Sequence, residues 1–415
     1  MASKTFQRVL AIGILLACTA LASAQSGSVR PRRVNPPQTS SAQTNDTGTS
    51  SSEEPPTRIS PANRPSPSRS NAAASGAGGD TSRAFSLFQQ KQYAAAAREA
   101  KQVAASDPNN AEAWKIAGFS EMNLKQYEEA ASDLRKALDL QRAAGKEDEN
   151  TADALAQALV FTEKFADALP LLVAATTRKG AQPDASLLYY RGLAEYQTNK
   201  RADAERSFNA AVKINPKDAR SLYYLGQIAF ERNDMDATIA ALNRATLNDA
   251  QIASAWQLLT IAYLRRAGAA TVKARADADY LSAVRAGESL VRAHSDAASN
   301  TLLGQALIGA GQMTRAATVL ERAAADKEAK GGTFYLLGFT YSRAKNFPKA
   351  ITALERAAQL SPDDANIYRE LGYAYEISKQ YPKALEAYQK GAQLAPDDDY
   401  FKESVARVKT VTSDQ

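Results

Sequence analysis

Two residue types that catalytic and disulfide-stabilised proteins depend on are almost absent from this sequence. It contains one cysteine, Cys18, and one histidine, His294, among 415 residues. A single cysteine excludes an intramolecular disulfide, and one cysteine with one histidine cannot supply the ligands of an ordinary zinc site. The sequence also lacks the GxxxxGK(S/T) and GxGxxG patterns that place backbone N–H groups around phosphates. We therefore predict no cofactor.

The remaining candidates for chemistry have structural explanations. His294 is followed by Ser295 and Asp296, but neighbours on a helix point in different directions, so a catalytic triad is not expected. The acidic runs Asp363–Asp364 and Asp397–Asp399 are compatible with calcium binding by carboxylates alone. Each run follows a helix-ending proline, where acidic residues stabilise the start of the next helix, and we favour that role. We predict no metal site and no enzymatic activity.

The positive charge is spread along the chain. Of the formal net charge of +6, two charges lie in residues 1–24, two between Gln25 and Asp80, and two in the remaining residues. A nucleic-acid-binding protein needs a concentrated basic face. The composition therefore gives no support to nucleic-acid binding.

Residues 1–24 have the pattern of a secretory signal peptide. Lys4 and Arg8 give a positive start, and the apolar stretch Val9–Leu21 is too short to span a bilayer comfortably. Ala22-Ser23-Ala24 then forms an A-x-A cleavage site. We expect cleavage after Ala24 and a location in the periplasm or outside the cell.

The single cysteine allows a second fate for the N-terminus. Leu15-Leu16-Ala17-Cys18 resembles a bacterial lipobox, in which cleavage before the cysteine leaves Cys18 lipidated. That outcome would make the protein an outer-membrane lipoprotein. We favour cleavage after Ala24, because the small-x-small site is well formed and well spaced.

Residues 25–79 differ abruptly in composition from the rest of the chain. Eight of the sixteen prolines lie here among Ser, Thr, Asn and Gln, with almost no large apolar residue. Such a segment cannot bury enough apolar surface to offset the entropy of ordering. We predict a disordered linker whose ends are about 40 Å apart.

A 34-residue pattern occurs twice between Gly331 and Asp398. Five residues of its first copy, namely Leu337, Gly338, Tyr341, Ala350 and Pro362, recur 34 residues later as Leu371, Gly372, Tyr375, Ala384 and Pro396. A fixed period of this length is typical of stacked repeats, in which one unit cannot bury its apolar face alone.

This pattern resembles the tetratricopeptide repeat (TPR) family, whose unit is a helix-turn-helix with W-x2-L-G-x2-Y, then Ala, an aromatic residue and Pro. The resemblance implies an all-α, right-handed α-solenoid that binds a protein or a peptide. Counted outward from the two clear copies, the register gives nine units over residues 80–398. The units begin near Ala77, Ala111, Glu149, Ala185, Ala219, Ala253, Ala297, Gly331 and Ala365.

Two positions of the unit must be small if its two helices are to pack closely. The eighth residue is Gly in six units, and the twentieth is Ala in seven. Enlarging either residue would overpack a dense core, at about 1–3 kcal/mol. The apolar residue four positions beyond the twentieth is predicted to fill the gap between neighbouring units. These residues are Leu134, Leu172, Phe208, Leu242, Leu320, Leu354 and Tyr388.

The array departs from the 34-residue spacing in three places, with four extra residues before Glu149, two before Ala185 and the largest insertion in the sixth unit. The sixth unit has about ten additional residues, within Ala267–Asp279, and these are good helix formers apart from Gly268. We expect lengthened, protruding helices there. After the last unit, Phe401, Val405 and Val408 lie at helical spacing, which predicts a capping helix within residues 399–415.

In TPR proteins the first helix of each unit lines the concave face, and unit positions 2, 5, 9, 12 and 13 usually meet the ligand. The resemblance therefore implies partner-binding residues in units four, five, eight and nine. They are Tyr189, Leu193, Tyr196, Tyr223, Phe230, Tyr335, Phe339, Arg369 and Tyr373. We expect the residues at positions 5 and 9 to line a solvent-filled groove, because rigid aromatic rings dominate recognition energetics. Tyr190 and Tyr224, at position 6, are expected to pack between units.

The lining differs from that of TPR domains which clamp the C-terminal carboxylate of chaperones. Those domains use Lys at position 5 and Asn at position 9. Lys115 fits, but Phe119 stands where the Asn is required. An apolar helix or an extended peptide in the groove suits this lining better.

Three functions are compatible with these features. The first is a non-enzymatic, exported scaffold that binds a peptide or protein segment in the concave groove. The second is a lipid-anchored assembly subunit of a bacterial envelope machine, which differs mainly in the state of Cys18. The third is a glycan-binding or cell-wall-binding array, because tyrosine rings also stack on sugars.

Overall fold

A computed structural model describes residues 80–178, 180 and 184–413 of the chain. Over these residues the regular structure consists of nineteen α-helices, numbered α1 to α19 here, with no strand. The predicted signal peptide and linker, and the predicted start of unit one at Ala77, lie outside the described residues.

The helices form nine successive pairs, called units one to nine, and a final single helix. Units one to five are α1 (Ser82–Gln89) with α2 (Tyr93–Ser106), α3 (Ala111–Asn123) with α4 (Tyr127–Ala143), α5 (Glu149–Phe161) with α6 (Phe165–Thr176), α7 (Ala185–Gln197) with α8 (Arg201–Ile214), and α9 (Ala219–Glu231) with α10 (Met235–Asn248). The rest are α11 (Ala253–Ala269) with α12 (Lys273–Ala293), α13 (Ala297–Gly309) with α14 (Met313–Ala324), α15 (Gly331–Arg343) with α16 (Phe347–Leu360), α17 (Ala365–Ile377) with α18 (Tyr381–Leu394), and α19 (Asp399–Ser413).

The first helices of units two to nine begin at the residues where the repeat register places the unit starts. A polar residue immediately before the helix explains several of these boundaries. In five units its side chain accepts a hydrogen bond from a backbone N–H of the first turn, an interaction worth about 1 kcal/mol. These capping residues are Asn110, Asp148, Asp184, Asp296 and Asp364.

The units stack into the predicted all-α solenoid. Along the whole array, the first helix of each unit contacts its own second helix and the first helix of the next unit. The second helices of neighbouring units make few or no contacts with one another in the described part of the chain. The first helices therefore lie on the inner side of the curved stack, and the second helices lie on its outer side.

The glycine at the eighth position sets the distance between the two helices of a unit. In six units, a Cβ on this glycine would lie 2.5–2.8 Å from the side chain sixteen residues later. That side chain, such as Leu134 against Gly118, is fully buried. This side chain was predicted to fill the gap between neighbouring units. The prediction was incomplete, because the side chain also packs against the glycine of its own unit.

In every unit except the sixth, one residue of the turn between the two helices has a left-handed backbone conformation. In seven units it is not glycine, and its φ is 59° to 63°. In unit seven it is Gly311, with a φ of 72°. The repeat therefore imposes the same turn on Lys, Glu and Asn as on Gly.

Unit six has the lengthened helices expected from its additional residues. Its helices contain 17 and 21 residues. Arg266 holds this longer hairpin in place, with its Nε and Nη2 2.9 and 2.7 Å from the buried Asp279 carboxylate and its Nη1 2.6 Å from Asp236 of unit five.

The final helix, α19, covers unit nine. Phe401 and Val408 are buried, and Val405 is half-buried. Arg407 also forms a two-pronged ion pair with Glu376 of unit nine, with N–O distances of 2.8 and 2.9 Å. This helix has the position and the amphipathic pattern of the predicted capping helix.

Candidate functional site

The candidate site is the inner face of the stack, formed by positions 2, 5, 9, 12 and 13 of the first helices. Four of the nine residues predicted to bind a partner are buried there, namely Tyr189, Tyr196, Tyr335 and Phe339. The other five are half-buried, namely Leu193, Tyr223, Phe230, Arg369 and Tyr373.

The expectation that the rings at positions 5 and 9 line solvent is therefore wrong for three residues. Tyr189 and Tyr335 are 8% exposed and Phe339 is 3% exposed. The glycine at position 8 brings the helices of a unit together, and the first helices of adjacent units also touch. This close approach covers rings that a wider stack would leave in contact with water.

In units two, three, four, seven and nine, position 5 connects the unit to the start of the segment that follows it. Its side chain contacts a residue in the loop before the next first helix or in the first turn of that helix. Examples are Lys115 with Asp148 (3.4 Å), Asp153 with Arg178 (3.0 Å), Tyr189 with Arg220 (4.3 Å), Thr301 with Thr333 (2.8 Å), and Arg369 with Asp398. A position assigned to ligand binding by resemblance is thus used here to hold neighbouring units together.

Four rings of the inner face are covered by guanidinium groups. The arginine Cζ atom lies over the ring centroid at 3.7 Å for Arg201 on Tyr196, 4.3 Å for Arg220 on Tyr189, 4.3 Å for Arg265 on Phe230, and 4.6 Å for Arg343 on Phe339. Each pair is a cation–π contact, worth about 0.5–2 kcal/mol according to its exposure. Four of the aromatic residues predicted to bind a partner are therefore partly covered by arginine.

Tyr196 belongs to a polar network between units four and five. Its hydroxyl donates to the carboxylate of Glu231, which also accepts a 2.7 Å hydrogen bond from Nε of Arg201. Burial and the Glu231 carboxylate both raise the pKa of Tyr196, so its hydroxyl stays protonated. The hydroxyl of Tyr196 is therefore occupied and does not donate a hydrogen bond to a partner.

The residues at position 6 pack as expected. Tyr190 is 5% exposed, and Tyr224 is half-buried against Phe208. Burial raises the pKa of Tyr224 to about 12. These two tyrosines stabilise the stack.

Arg369 is engaged by the final helix. Its guanidinium pairs with Asp398, and its Cζ lies 4.7 and 5.3 Å from the ring centroids of Tyr400 and Phe401. The adjacent Glu370 is buried beside Arg343 at 3.0 Å, and burial raises its pKa. The charged groups of unit nine thus hold α19 in place.

The most exposed aromatic rings near the inner face are ones that sequence reasoning did not select. Phe85 in unit one is 45% exposed, and Phe161 in unit three is 38% exposed. Phe88 lies 6.5 Å from Phe119, edge to face. Phe85, Phe88 and Phe161 lie at positions 9, 12 and 13 of units one and three, where the repeat pattern is weaker. The rule that these positions meet the ligand would therefore have identified them as well.

His294 and its neighbours do not form a catalytic triad. The Nε2 atom of His294 lies 3.0 Å from Asp296, whose other oxygen accepts hydrogen bonds of 2.7 Å from the N–H and the hydroxyl of Ser299. The Asp296 carboxylate thus lies between His294 and Ser299, whereas a triad requires the histidine in the middle. The hydroxyl of Ser295 instead accepts a 3.2 Å hydrogen bond from Asn300. Asp296 instead caps α13.

The described residues contain neither a metal-binding cluster nor a membrane-spanning helix. Across residues 80–178, 180 and 184–413, no group of three or more His, Cys, Asp or Glu side chains is arranged to hold a metal ion. No helix within these ranges has the length and the apolar character needed to cross a membrane.

These features define a helical-repeat protein in which the first helix of each unit packs against both helices of the unit before it. The tetratricopeptide repeat model matches residues 82–147, 154–200, 191–255 and 335–399, which is more than half of the chain. The chain belongs to the tetratricopeptide repeat family. Tetratricopeptide repeats bind protein or peptide partners and generally act as non-enzymatic scaffolds.

Several solved structures are similar to this chain. YrrB, a TPR protein with an unusual peptide-binding site, is 19% identical with a TM-score of 0.41, over 48% of this chain and 98% of YrrB. A TPR protein from Parabacteroides merdae is 14% identical with a TM-score of 0.40, over 64% and 98% of the two chains. The C-terminal part of a TPR protein from Cytophaga hutchinsonii is 15% identical with a TM-score of 0.41, over 70% and 99%. A search of curated protein sequences gives no match.

Proposed function

We propose that this protein is a non-enzymatic scaffold that binds a peptide or protein segment along the inner face of its TPR array, outside the cytoplasm. The main support is a set of half-buried apolar side chains on the first helices of units two, four and five, namely Phe119, Leu193, Tyr223 and Phe230. A bound segment would remove their remaining apolar surface from water, at about 25 cal/mol per Å². Because the rings are already packed against neighbouring units, little additional side-chain order is required.

The proposed location depends on the N-terminal sequence. A positive start at Lys4 and Arg8, the apolar stretch Val9–Leu21 and the site at Ala22–Ala24 support export. The mass of the mature N-terminus tests this proposal. A chain that begins at Gln25 supports a free exported protein, an acylated Cys18 supports a lipoprotein, and an intact Met1 would overturn export.

The tyrosines give less support to the glycan-binding alternative. Sugar rings stack on open aromatic faces, but Arg220 covers Tyr189, and Tyr335 is almost fully buried. The half-buried apolar row and the family membership favour a polypeptide ligand instead.

Photo-crosslinking tests the proposal directly. A benzoylphenylalanine at Phe230 adds bulk to a half-buried ring on the inner face, and the same residue at Leu247 provides a control on α10, where the native side chain is 85% exposed. Both forms are produced in cells of the source organism and irradiated before extraction. We expect a discrete crosslinked polypeptide from position 230 and none from position 247.

A pair of substituted proteins gives the matching affinity test. The inner-face protein carries Leu193→Ala, Tyr223→Ala and Phe230→Ala. The control carries Ile214→Ala, Leu247→Ala and Leu360→Ala, at side chains 41–85% exposed near the ends of second helices. Circular dichroism first verifies that both proteins are folded. Loss of the crosslinked partner by the inner-face protein alone then supports the proposal. Equal retention by both would place the interaction elsewhere.

A further inference from the structure

The guanidinium of Arg265 lies across the ring of Phe230 at the boundary of units five and six. Its Cζ is 4.3 Å from the ring centroid, and both residues are half-buried. Phe230 is at position 12 of α9, and Arg265 is at position 13 of α11, so both belong to the inner face. This cation–π contact restrains the guanidinium, and its N–H groups have no hydrogen-bond partner among the described residues.

The charge of Arg265 has no acidic partner in the described part of the chain. The structure gives it no hydrogen bond and no ion pair there, and the ring of Phe230 is its one specific contact. The other three arginines that cover rings each have an acid nearby. The distances are 2.7 Å from Arg201 to Glu231, 3.6 Å from Arg220 to Asp218, and 3.0 Å from Arg343 to Glu370.

The acidic residue of unit five at position 13, the position that Arg265 has in unit six, already has hydrogen-bond partners. Glu231, at position 13 of α9, accepts hydrogen bonds from the Tyr196 hydroxyl and from Arg201. Movement of Glu231 toward Arg265 would break both bonds. The inner face therefore presents a fixed, unmatched positive charge beside apolar side chains.

We propose that Arg265 binds a carboxylate of the partner, so that the segment recognised by this array carries an acidic side chain next to an apolar one. A guanidinium fork matches a carboxylate with two parallel N–H···O bonds. Because Phe230 already orients the fork, less side-chain entropy is lost on binding. This proposal rests on the proposed function. It specifies in addition that the partner carries a negative charge and that Arg265 binds it.

Three fluorescent ten-residue peptides of simple composition test the proposal. Each alternates Phe with one polar residue, which is Glu, Ser or Lys, and binding to the full-length protein is measured by fluorescence anisotropy. We expect the Glu peptide to bind about tenfold more tightly than the Ser peptide, the Lys peptide to bind most weakly, and added salt to reduce the difference.

Two substitutions separate a specific contact from a general charge effect. Arg265→Gln removes the proposed carboxylate site. Arg244→Gln removes the same charge from an exposed arginine of α10 that has no ion pair among the residues the structure describes. We expect Arg265→Gln to bind the Glu and Ser peptides equally, and Arg244→Gln to keep the preference of the native protein. Arg265→Lys should keep part of it, because a lysine retains the charge without the fork.

The outcomes distinguish this proposal from the proposed function. Equal binding of the Glu and Ser peptides by the native protein would overturn the carboxylate site. Equal losses in Arg265→Gln and Arg244→Gln would do the same. If the Ser peptide still bound, and Phe230→Ala weakened it, binding on the inner face would stand without a charge preference. No binding of the Glu peptide at concentrations up to about 1 mM would also count against the site.

Discussion

Phe208 of unit four lies parallel to Tyr224 of unit five, with ring centroids 5.1 Å apart and an angle of 6° between the ring planes. Phe208 is fully buried, and its ring also packs against Gly192 of its own unit. One side chain therefore connects the pairing of helices within a unit to the stacking of adjacent units.

Replacement of Gly192 should disturb both levels of packing. The Cβ of Gly192→Ala would lie 2.8 Å from two atoms of the Phe208 ring, and we expect a loss of about 1–3 kcal/mol in the free energy of unfolding. Gly332→Ala is the matched control, because it is exposed in α15 with no atom within 4 Å of its new Cβ. It should be neutral or stabilise by up to about 1 kcal/mol through helix propensity. Urea unfolding of the two proteins checks the difference, and similar effects would contradict the packing argument.

Arg266 should be essential for the long hairpin of unit six. Arg266→Ala leaves the buried carboxylate of Asp279 without its cation, at a cost of about 3 kcal/mol. Arg275→Ala removes an exposed arginine 3.6 Å from Asp236 and should cost less than about 0.5 kcal/mol.

The fluorescence of Trp256, which lies in α11, reports on this hairpin in a Trp114→Phe background. The double substitution Arg266→Ala, Asp279→Ala should regain part of the lost stability, because it removes the unpaired charge. A double substitution that was no more stable than Arg266→Ala would exclude the uncompensated charge as the cause.

The contact between units one and two should weaken as the pH rises. Burial raises the pKa of Glu121 to about 7, the nearby Asp133 and Glu129 also raise it, and Lys101, which contacts both Glu121 and Asp133, opposes the shift. An acid with a raised pKa binds its proton more tightly in the folded state than in the unfolded chain. Its stabilising contribution is therefore complete below about pH 4.5 and is lost as the pH rises through about 7.

Chemical unfolding followed by Trp114 of unit two, in a Trp256→Phe background, measures this dependence. Between pH 5 and pH 8 the native sequence should lose stability on the order of 2 kcal/mol. Glu121→Gln should show a flatter profile, because no charge forms at that position. An unchanged slope in Glu121→Gln would assign the pH dependence to other groups.

Replacement of the turn residue that has a left-handed backbone conformation by glycine should stabilise most units. Lys345 has a φ of 60°, a conformation that costs a residue with a side chain about 1–2 kcal/mol. Lys345→Gly should stabilise unit eight by about 1 kcal/mol, after allowance for the greater entropy of the unfolded chain. Gly311→Ala, at the equivalent position of unit seven, should destabilise by a similar amount. Thermal unfolding of both proteins tests the sign of each effect, and a destabilised Lys345→Gly would refute the strain argument.

The fold was predictable because each repeat position has a local physical requirement. Gly192 must be small, Asp184 must cap a helix, and Phe208 must fill the space beside Gly192. All three requirements act over short distances along the chain. The spacing of these residues therefore specifies where the helices begin and how they pair.

The state of the inner face was less predictable, because it depends on how closely neighbouring units approach. The sequence identifies Tyr189 as an aromatic residue at position 5, but it does not show that Arg220 of the next unit will cover the ring. Arg369 was assigned to a partner for the same reason, although Asp398 and the rings of α19 engage it. Phe85 and Phe161 escaped notice because their units carry weaker forms of the repeat.

The longer hairpin of unit six shows how this architecture can acquire new parts. Both of its helices are extended, yet unit seven begins at Ala297 in the same register as the other units. The tip of the hairpin is exposed from Thr271 to Lys273, and Val272 there is 60% exposed. Added chain length at such a tip needs no rearrangement of the core. The segment between Ala269 and Lys273 is therefore a natural place to insert a folded reporter domain while the inner face stays intact.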